Sequence, residues 1–88
     1  MQRVKDKVIL VTGAAMGMGQ SHSELLAAEG ARVFVADLNA ALGEAVAEGI
    51  RQRGGQAEFL KLDVTAEADW NAAVARIKIR HGMVSRAG

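Results

Sequence analysis

The stretch that decides the fold is Lys-Val-Ile-Leu-Val-Thr-Gly-Ala-Ala-Met-Gly-Met-Gly, residues Lys7–Gly19. It opens with a short apolar run rich in β-branched residues, which is typical of a strand buried on both faces of a sheet. Three glycines follow at positions 13, 17 and 19, and the chain then becomes helical in pattern. A strand, a glycine-rich turn and a helix in this order are the setting in which such glycines indicate dinucleotide binding.

The physical reason lies in the helix that follows the turn. Its first N–H groups have no partner within the helix and carry a partial positive charge, so they attract a pyrophosphate. We expect Gly13 to make the tight turn, Gly17 to let the backbone approach the ligand, and Gly19 to let the helix pack closely on its strand. The alternative is an ordinary glycine-rich turn that binds nothing.

The rest of the chain repeats the alternation of strand and helix. Strands are predicted at 8–11, 32–37 and 57–64, and amphipathic helices at 18–29, 40–53 and 66–80. This order predicts an α/β fold, the β-α-β-α-β-α half of a doubly wound Rossmann sheet, with strand order three-two-one. Residues 1–88 should form one small nucleotide-binding domain.

Composition narrows the function classes. Half of the 88 residues are hydrophobic, there is no cysteine, and the net charge is +1. We therefore expect no disulfide, no thiolate metal site, no membrane segment and a cytoplasmic location. Basic residues accumulate near the end of the chain, but a solvated helix end explains them better than a nucleic-acid site does.

Asp37 closes the second predicted strand. An acid at this position is placed to accept hydrogen bonds from both hydroxyls of the adenosine ribose, and it would repel a 2′-phosphate. The sequence therefore predicts NAD as the cofactor, in preference to NADP. The alternative is that Asp37, or Asn39, only caps the helix that follows.

The glycine stretch also carries a resemblance. Thr12-Gly13-Ala14-Ala15-Met16-Gly17-Met18-Gly19 resembles the Thr-Gly-x-x-x-Gly-x-Gly motif of the short-chain dehydrogenase/reductase family, and its wording is most similar to the cyclic-alcohol, cyclopentanol-type members. The resemblance covers nearly the whole chain. It implies a parent activity of NAD-linked oxidation of a secondary alcohol to a ketone.

The resemblance also implies further cofactor contacts. In NADP-preferring relatives a basic residue commonly precedes the second glycine, where this chain has Met16. Asp63 and Val64 match the Asp-Val pair that contacts the adenine, although Asp63 could instead serve, with Thr65, as a cap of the third helix. Leu38 would lie against the adenine. Backbone groups and the pocket wall would come from Ala14, Ala15 and Met18.

The end of the chain departs from the family pattern. The family's fourth strand ends Asn-Asn-Ala-Gly, whereas this sequence ends Ser85-Arg86-Ala87-Gly88, which predicts a poor fourth strand. The family's catalytic serine, tyrosine and lysine come from a later region. This chain has no tyrosine, and Lys78 is not in the family's Tyr-x-x-x-Lys setting. We therefore assign no catalytic residue and no metal ligand, and expect these 88 residues alone not to be catalytic.

Strand one would then have an edge covered only by the short tail. An exposed apolar edge invites pairing with another chain, so the sequence predicts a homo-oligomer, or a domain-swapped dimer, formed through this edge. Two other functions stay open, a non-catalytic nucleotide-binding module and a truncated, self-associating fragment.

Overall fold

A parallel sheet flanked by helices forms the architecture of this chain in a computed structural model, which describes residues 6–14, 17–63, 65–81 and 85–87. In chain order the elements are β1 (Val8–Thr12), α1 (Gly17–Ala28), β2 (Arg32–Asp37), α2 (Ala40–Gln52), β3 (Gln56–Lys61), α3 (Glu67–His81) and β4 (Ser85–Ala87). The predicted β-α-β-α-β-α order is confirmed.

The sheet has the strand order β3-β2-β1-β4, with every neighbouring pair parallel. The predicted three-two-one order is therefore correct, and β4 extends the sheet on the far side of β1. The described residues of β4, Ser85–Ala87, pair with Ile9–Val11, and the rest of the tail on which a poor fourth strand was predicted lies outside the described residues. Parallel pairing brings the carboxyl ends of all four strands to one edge of the sheet.

β1 is buried on both faces because its side chains alternate between two cores. Ile9 and Val11 belong to the cluster beneath α1 and α2, whereas Val8 and Leu10 belong to the cluster beneath α3. A strand covered on both sides needs apolar residues at every position, which explains its uninterrupted run. Trp70 of α3 packs against the second cluster, as expected for a core residue.

The ends of several elements differ from the sequence-based expectation. The first helix begins at Gly17 and ends at Ala28, one residue earlier at each end than predicted. The third strand ends at Lys61, not at Val64, because Asp63 enters a turn with Thr65. None of the described helices combines the length and the apolar character that crossing a membrane requires.

Candidate functional site at the carboxyl edge of the sheet

The turn after β1 depends on two glycines with unusual backbone angles. Gly13 has φ +61° and Gly17 has φ +65°, a left-handed region in which residues with a Cβ are strained. Among the described residues, apart from each glycine's neighbours along the chain and the backbone of α1, no heavy atom lies within 4 Å of the place where a Cβ would stand on either residue. The left-handed backbone conformation explains why glycine occupies both positions.

Gly19 serves a different purpose. A Cβ on this residue would collide with the carbonyl oxygen of Gly13, and it would lie 2.8 Å from the Gly13 carbonyl carbon and 2.9 Å from Ala14 Cα. These are backbone atoms that cannot move aside cheaply. The absence of a side chain at Gly19 thus lets the first turn of α1 press directly on the turn that follows β1, as the sequence predicted.

The amino end of α1, where the helix dipole is positive, lies at this edge of the sheet. The helix begins at Gly17, and its first turn contains no acidic side chain that would cancel the positive end of the helix dipole. The preceding turn is attached to the sheet, since Ala14 N–H donates to the Ala36 carbonyl oxygen at 3.1 Å. The arrangement fits an anion held by backbone N–H groups.

Asp37 ends β2 at the same edge. Its Oδ1 accepts a hydrogen bond from Asn39 N–H at 3.0 Å, and Asn39 Oδ1 in turn accepts from Leu42 N–H at 3.0 Å. Asn39 is therefore the N-cap of α2, which decides between the two candidate caps. Asp37 is half-buried and orders the loop before the cap instead of capping the helix itself.

Asp63 follows β3 by two residues. Its Oδ1 accepts from Thr65 N–H at 2.9 Å and from the Thr65 hydroxyl at 2.6 Å. These hydrogen bonds hold the pKa of the Asp63 carboxyl below its usual range, so the group is ionised at neutral pH. The helix that follows begins at Glu67, so Thr65 lies before its first turn.

Two large apolar side chains are exposed at this edge. Met18, in the first turn of α1, is 76% exposed, and Leu38, which follows Asp37, is 58% exposed. Side chains of this size normally lose more water contact when a protein folds. Their position beside a polar turn suits an occupant that is partly apolar and partly charged.

Three of the predicted contact residues, Ala15, Met16 and Val64, lie outside the described residues. The others gather at the carboxyl edge of the sheet, namely Gly13, Ala14, Gly17, Met18, Gly19, Asp37, Leu38 and Asp63. Sequence reasoning missed the hydrogen bonds that orient the two aspartates. The signal for them was the spacing, because an aspartate commonly accepts from the backbone N–H two residues later.

The edge as a whole fits a dinucleotide. A helix amino end suits the pyrophosphate, a carboxylate at the end of a strand suits sugar hydroxyls, and exposed apolar side chains suit a flat base. Within the described part of the chain, no three histidine or acidic side chains come together in a way that could hold a metal ion.

Comparisons with known proteins agree with this geometry. Residues 7–85 match the family model described as short chain dehydrogenase. The chain belongs to the short-chain dehydrogenase family. Among curated relatives of this family, cyclopentanol dehydrogenase from Comamonas is 60% identical over 78 residues, which cover 88% of this chain and 31% of the relative.

A second curated relative is also named for a cyclic alcohol. The 2,5-dichloro-2,5-cyclohexadiene-1,4-diol dehydrogenase from Sphingobium indicum is 45% identical over 73 residues, which cover 83% of this chain and 29% of the relative. The chain thus spans about a third of the length of the curated relatives it matches.

Solved structures in the family have the same fold. A hydroxysteroid dehydrogenase from Escherichia coli matches with TM-score 0.89 and 33% identity, over 97% of this chain and 36% of that one. A candidate D-mannonate oxidoreductase from Haemophilus influenza with bound NAD matches with TM-score 0.84 and 27% identity, over 92% of this chain and 29% of that one. A metagenomic short-chain oxidoreductase in complex with NADP matches with TM-score 0.89 and 28% identity, over 92% of this chain and 37% of that one. The family therefore binds nicotinamide dinucleotides.

Proposed function

We propose that this chain binds NAD through its adenosine half and belongs to an enzyme that oxidises a cyclic secondary alcohol to a ketone. The observation that carries the choice of NAD is Asp37. Its half-buried carboxylate lies at the end of β2, beside the glycine turn, and is fixed there by Asn39 N–H. A fixed negative charge favours ribose hydroxyls and repels the 2′-phosphate of NADP.

The remaining contacts follow from the same edge. The turn at Gly13, Gly17 and Gly19 holds the pyrophosphate at the amino end of α1. Asp63 and Val64 receive the adenine, Leu38 covers one side of it, and Ala14, Ala15 and Met18 form the wall. At Met16 the chain has no basic side chain that would favour a 2′-phosphate.

The substrate class rests on the relatives. Cyclopentanol dehydrogenase and the cyclohexadienediol dehydrogenase are both named for hydroxyl groups on rings. When bound, the nicotinamide cofactor would accept a hydride from such a carbon. The 88 residues contain no tyrosine, so we propose that they hold the cofactor without performing the proton transfer of the reaction.

The chain also presents a sheet edge that supports self-association. Among the described residues β4 pairs with Ile9–Val11 and is the last strand of the sheet on that side, and the edge of a sheet can attract a further strand. We propose that copies of this chain associate at the β1–β4 side of the sheet.

Calorimetric titration of the 88-residue chain with NAD and NADP tests the cofactor proposal. In the variant Asp37→Asn, Oδ1 can still accept from Asn39 N–H but the charge is gone. We expect about tenfold weaker NAD binding, because hydrogen bonds to a charged acceptor contribute roughly 1.5–3 kcal/mol. We also expect the preference for NAD over NADP to narrow.

The matched control is Glu29→Gln, which removes one negative charge just after α1, away from the carboxyl edge. It should leave both affinities unchanged. Unaltered NAD binding in Asp37→Asn would contradict the ribose assignment. Absence of NAD binding in the unmodified chain would favour the self-associating fragment, and turnover of cyclopentanol with NAD would contradict the non-catalytic role.

A further inference from the structure

We propose that Thr65 is a positioning residue that fixes the Asp63 carboxylate for recognition of the adenine amino group. The inference rests on the proposed NAD function and extends it to a residue that does not itself touch the cofactor. Thr65 is exposed, lies between β3 and α3, and contributes nothing to either hydrophobic cluster. Its hydrogen bonds therefore need an explanation other than burial.

Both hydrogen-bond donors of Thr65 go to the same oxygen. The backbone N–H reaches Asp63 Oδ1 at 2.9 Å and the hydroxyl reaches it at 2.6 Å. One donor would close the turn but would leave the carboxylate free to rotate about its last bond. The second donor, the hydroxyl, adds a side-chain hydrogen bond to the same oxygen, which restricts rotation of the carboxylate and with it the direction of Oδ2.

The chemistry of the fixed group suits an amine. An ionised carboxylate only accepts hydrogen bonds, and within the described part of the chain Oδ2 has no donor of its own. The 6-amino group of adenine is a donor, whereas the 6-oxo group of hypoxanthine is an acceptor. A carboxylate held in place by Thr65 therefore favours adenine over hypoxanthine.

The carboxylates of Asp37 and Asp63 accept similar backbone hydrogen bonds, and Asp63 also accepts one from a side chain. Asp37 Oδ1 accepts from the backbone N–H of the residue two positions later, as Asp63 does. At Asp63 a hydroxyl adds a second bond to the same oxygen, and that bond can be removed without altering the backbone. This makes Thr65 accessible to a clean substitution.

The test compares NAD with nicotinamide hypoxanthine dinucleotide on Thr65→Val and Thr65→Ser. Valine keeps the shape and the backbone N–H but loses the hydroxyl, and serine keeps the hydroxyl. We expect Thr65→Val to weaken NAD binding about threefold to tenfold, the value of one ordinary hydrogen bond. Binding of the hypoxanthine analogue should not change, and Thr65→Ser should bind both dinucleotides as the unmodified chain does.

A purely structural role for Thr65 predicts something else. With such a role, Thr65→Val would weaken the binding of both dinucleotides equally and lower the urea midpoint of unfolding. Either that result or unchanged NAD binding would overturn the inference. Asp63→Asn separates the two proposals. If NAD binding depends on Asp37 but not on Asp63, the proposed NAD binding is supported and the proposed role of Thr65 is contradicted. If the unmodified chain does not bind NAD, both proposals are contradicted.

Discussion

At the residue scale, two glycines of this fold differ in whether the surrounding structure requires them. Gly19 has no room for a Cβ, because Gly13 and Ala14 backbone atoms stand within 2.9 Å of its place. Gly49, inside α2, has ample room, since the nearest atom to its Cβ position is Arg53 Nη2 at 3.5 Å. A glycine-to-alanine change therefore has opposite effects at the two positions.

We expect Gly19→Ala to destabilise the chain by about 2 kcal/mol or more, because overpacking against backbone forces the turn and α1 apart. Gly49→Ala is the matched control and should stabilise by about 0.5–1 kcal/mol, since alanine loses less entropy in a helix. Urea unfolding followed by circular dichroism gives both values. Equal effects at the two positions would show that the close contact at Gly19 does not exist in solution.

At the element scale, α2 lies on β3 through a contact between a glycine and an aromatic ring. Gly43 is buried, and a Cβ on it would overlap the Phe59 ring and lie 3.2 Å from Phe59 Cζ. Phe59 itself is only partly buried and packs at the margin of the first core cluster. The ring occupies the volume that a side chain on this helical turn would otherwise fill.

This contact predicts a coupling between the two residues. In the unmodified chain, Gly43→Ala should destabilise by about 1 kcal/mol, since displacing the ring costs more than the roughly 1 kcal/mol that alanine gains in a helix. In a Phe59→Ala background, the same change should stabilise by about 0.5–1 kcal/mol, because only the helix term remains. Urea unfolding of the four chains completes the cycle, and additive effects would rule the contact out.

The elements also show how far sequence reasoning reaches. β1 and β2 were predicted correctly because a short, continuous apolar run rich in β-branched residues is typical of a strand buried on both faces. β3 was predicted to run from Ala57 to Val64. The strand ends earlier because the Asp63 carboxylate bonds the backbone two residues later, and a hydrogen bond of this kind competes with strand pairing.

The candidate site divides in the same way. The glycines and the strand-end aspartates could be found from the sequence, because type and spacing reflect backbone geometry. The roles of Asn39 as the helix cap and of Thr65 as the second donor to Asp63 depend on side-chain directions. The sequence offered Asn39 as one of two candidate caps, and both hydrogen bonds join residues two or three positions apart, so the side-chain rotamers decide which of them form.

At the scale of the whole molecule, the sheet ends on one side at β4. Among the described residues, β2 pairs with all five residues of β1 and β4 pairs with Ile9–Val11. β4 is the last strand of the sheet on its side, so the described residues offer nothing to pair with its outer edge. A sheet edge formed by β4 gives the strand of another copy a place to pair.

Self-association should therefore increase when β4 is removed. We expect the unmodified chain to rise in mean mass with concentration in size-exclusion chromatography with light scattering. A chain that lacks Ser85–Gly88 should associate at lower concentration, because the backbone groups of Ile9–Val11 lose their partner. Removal of Gly88 alone keeps all three pairs of β4 and should behave as the unmodified chain does. A constant monomer mass for all three chains would mean that the edge of β1 does not support association.

The proposed NAD site lies at the carboxyl edge of the sheet, at the ends of these strands. Association at the sides of the strands should therefore leave NAD affinity unaltered across the same concentrations.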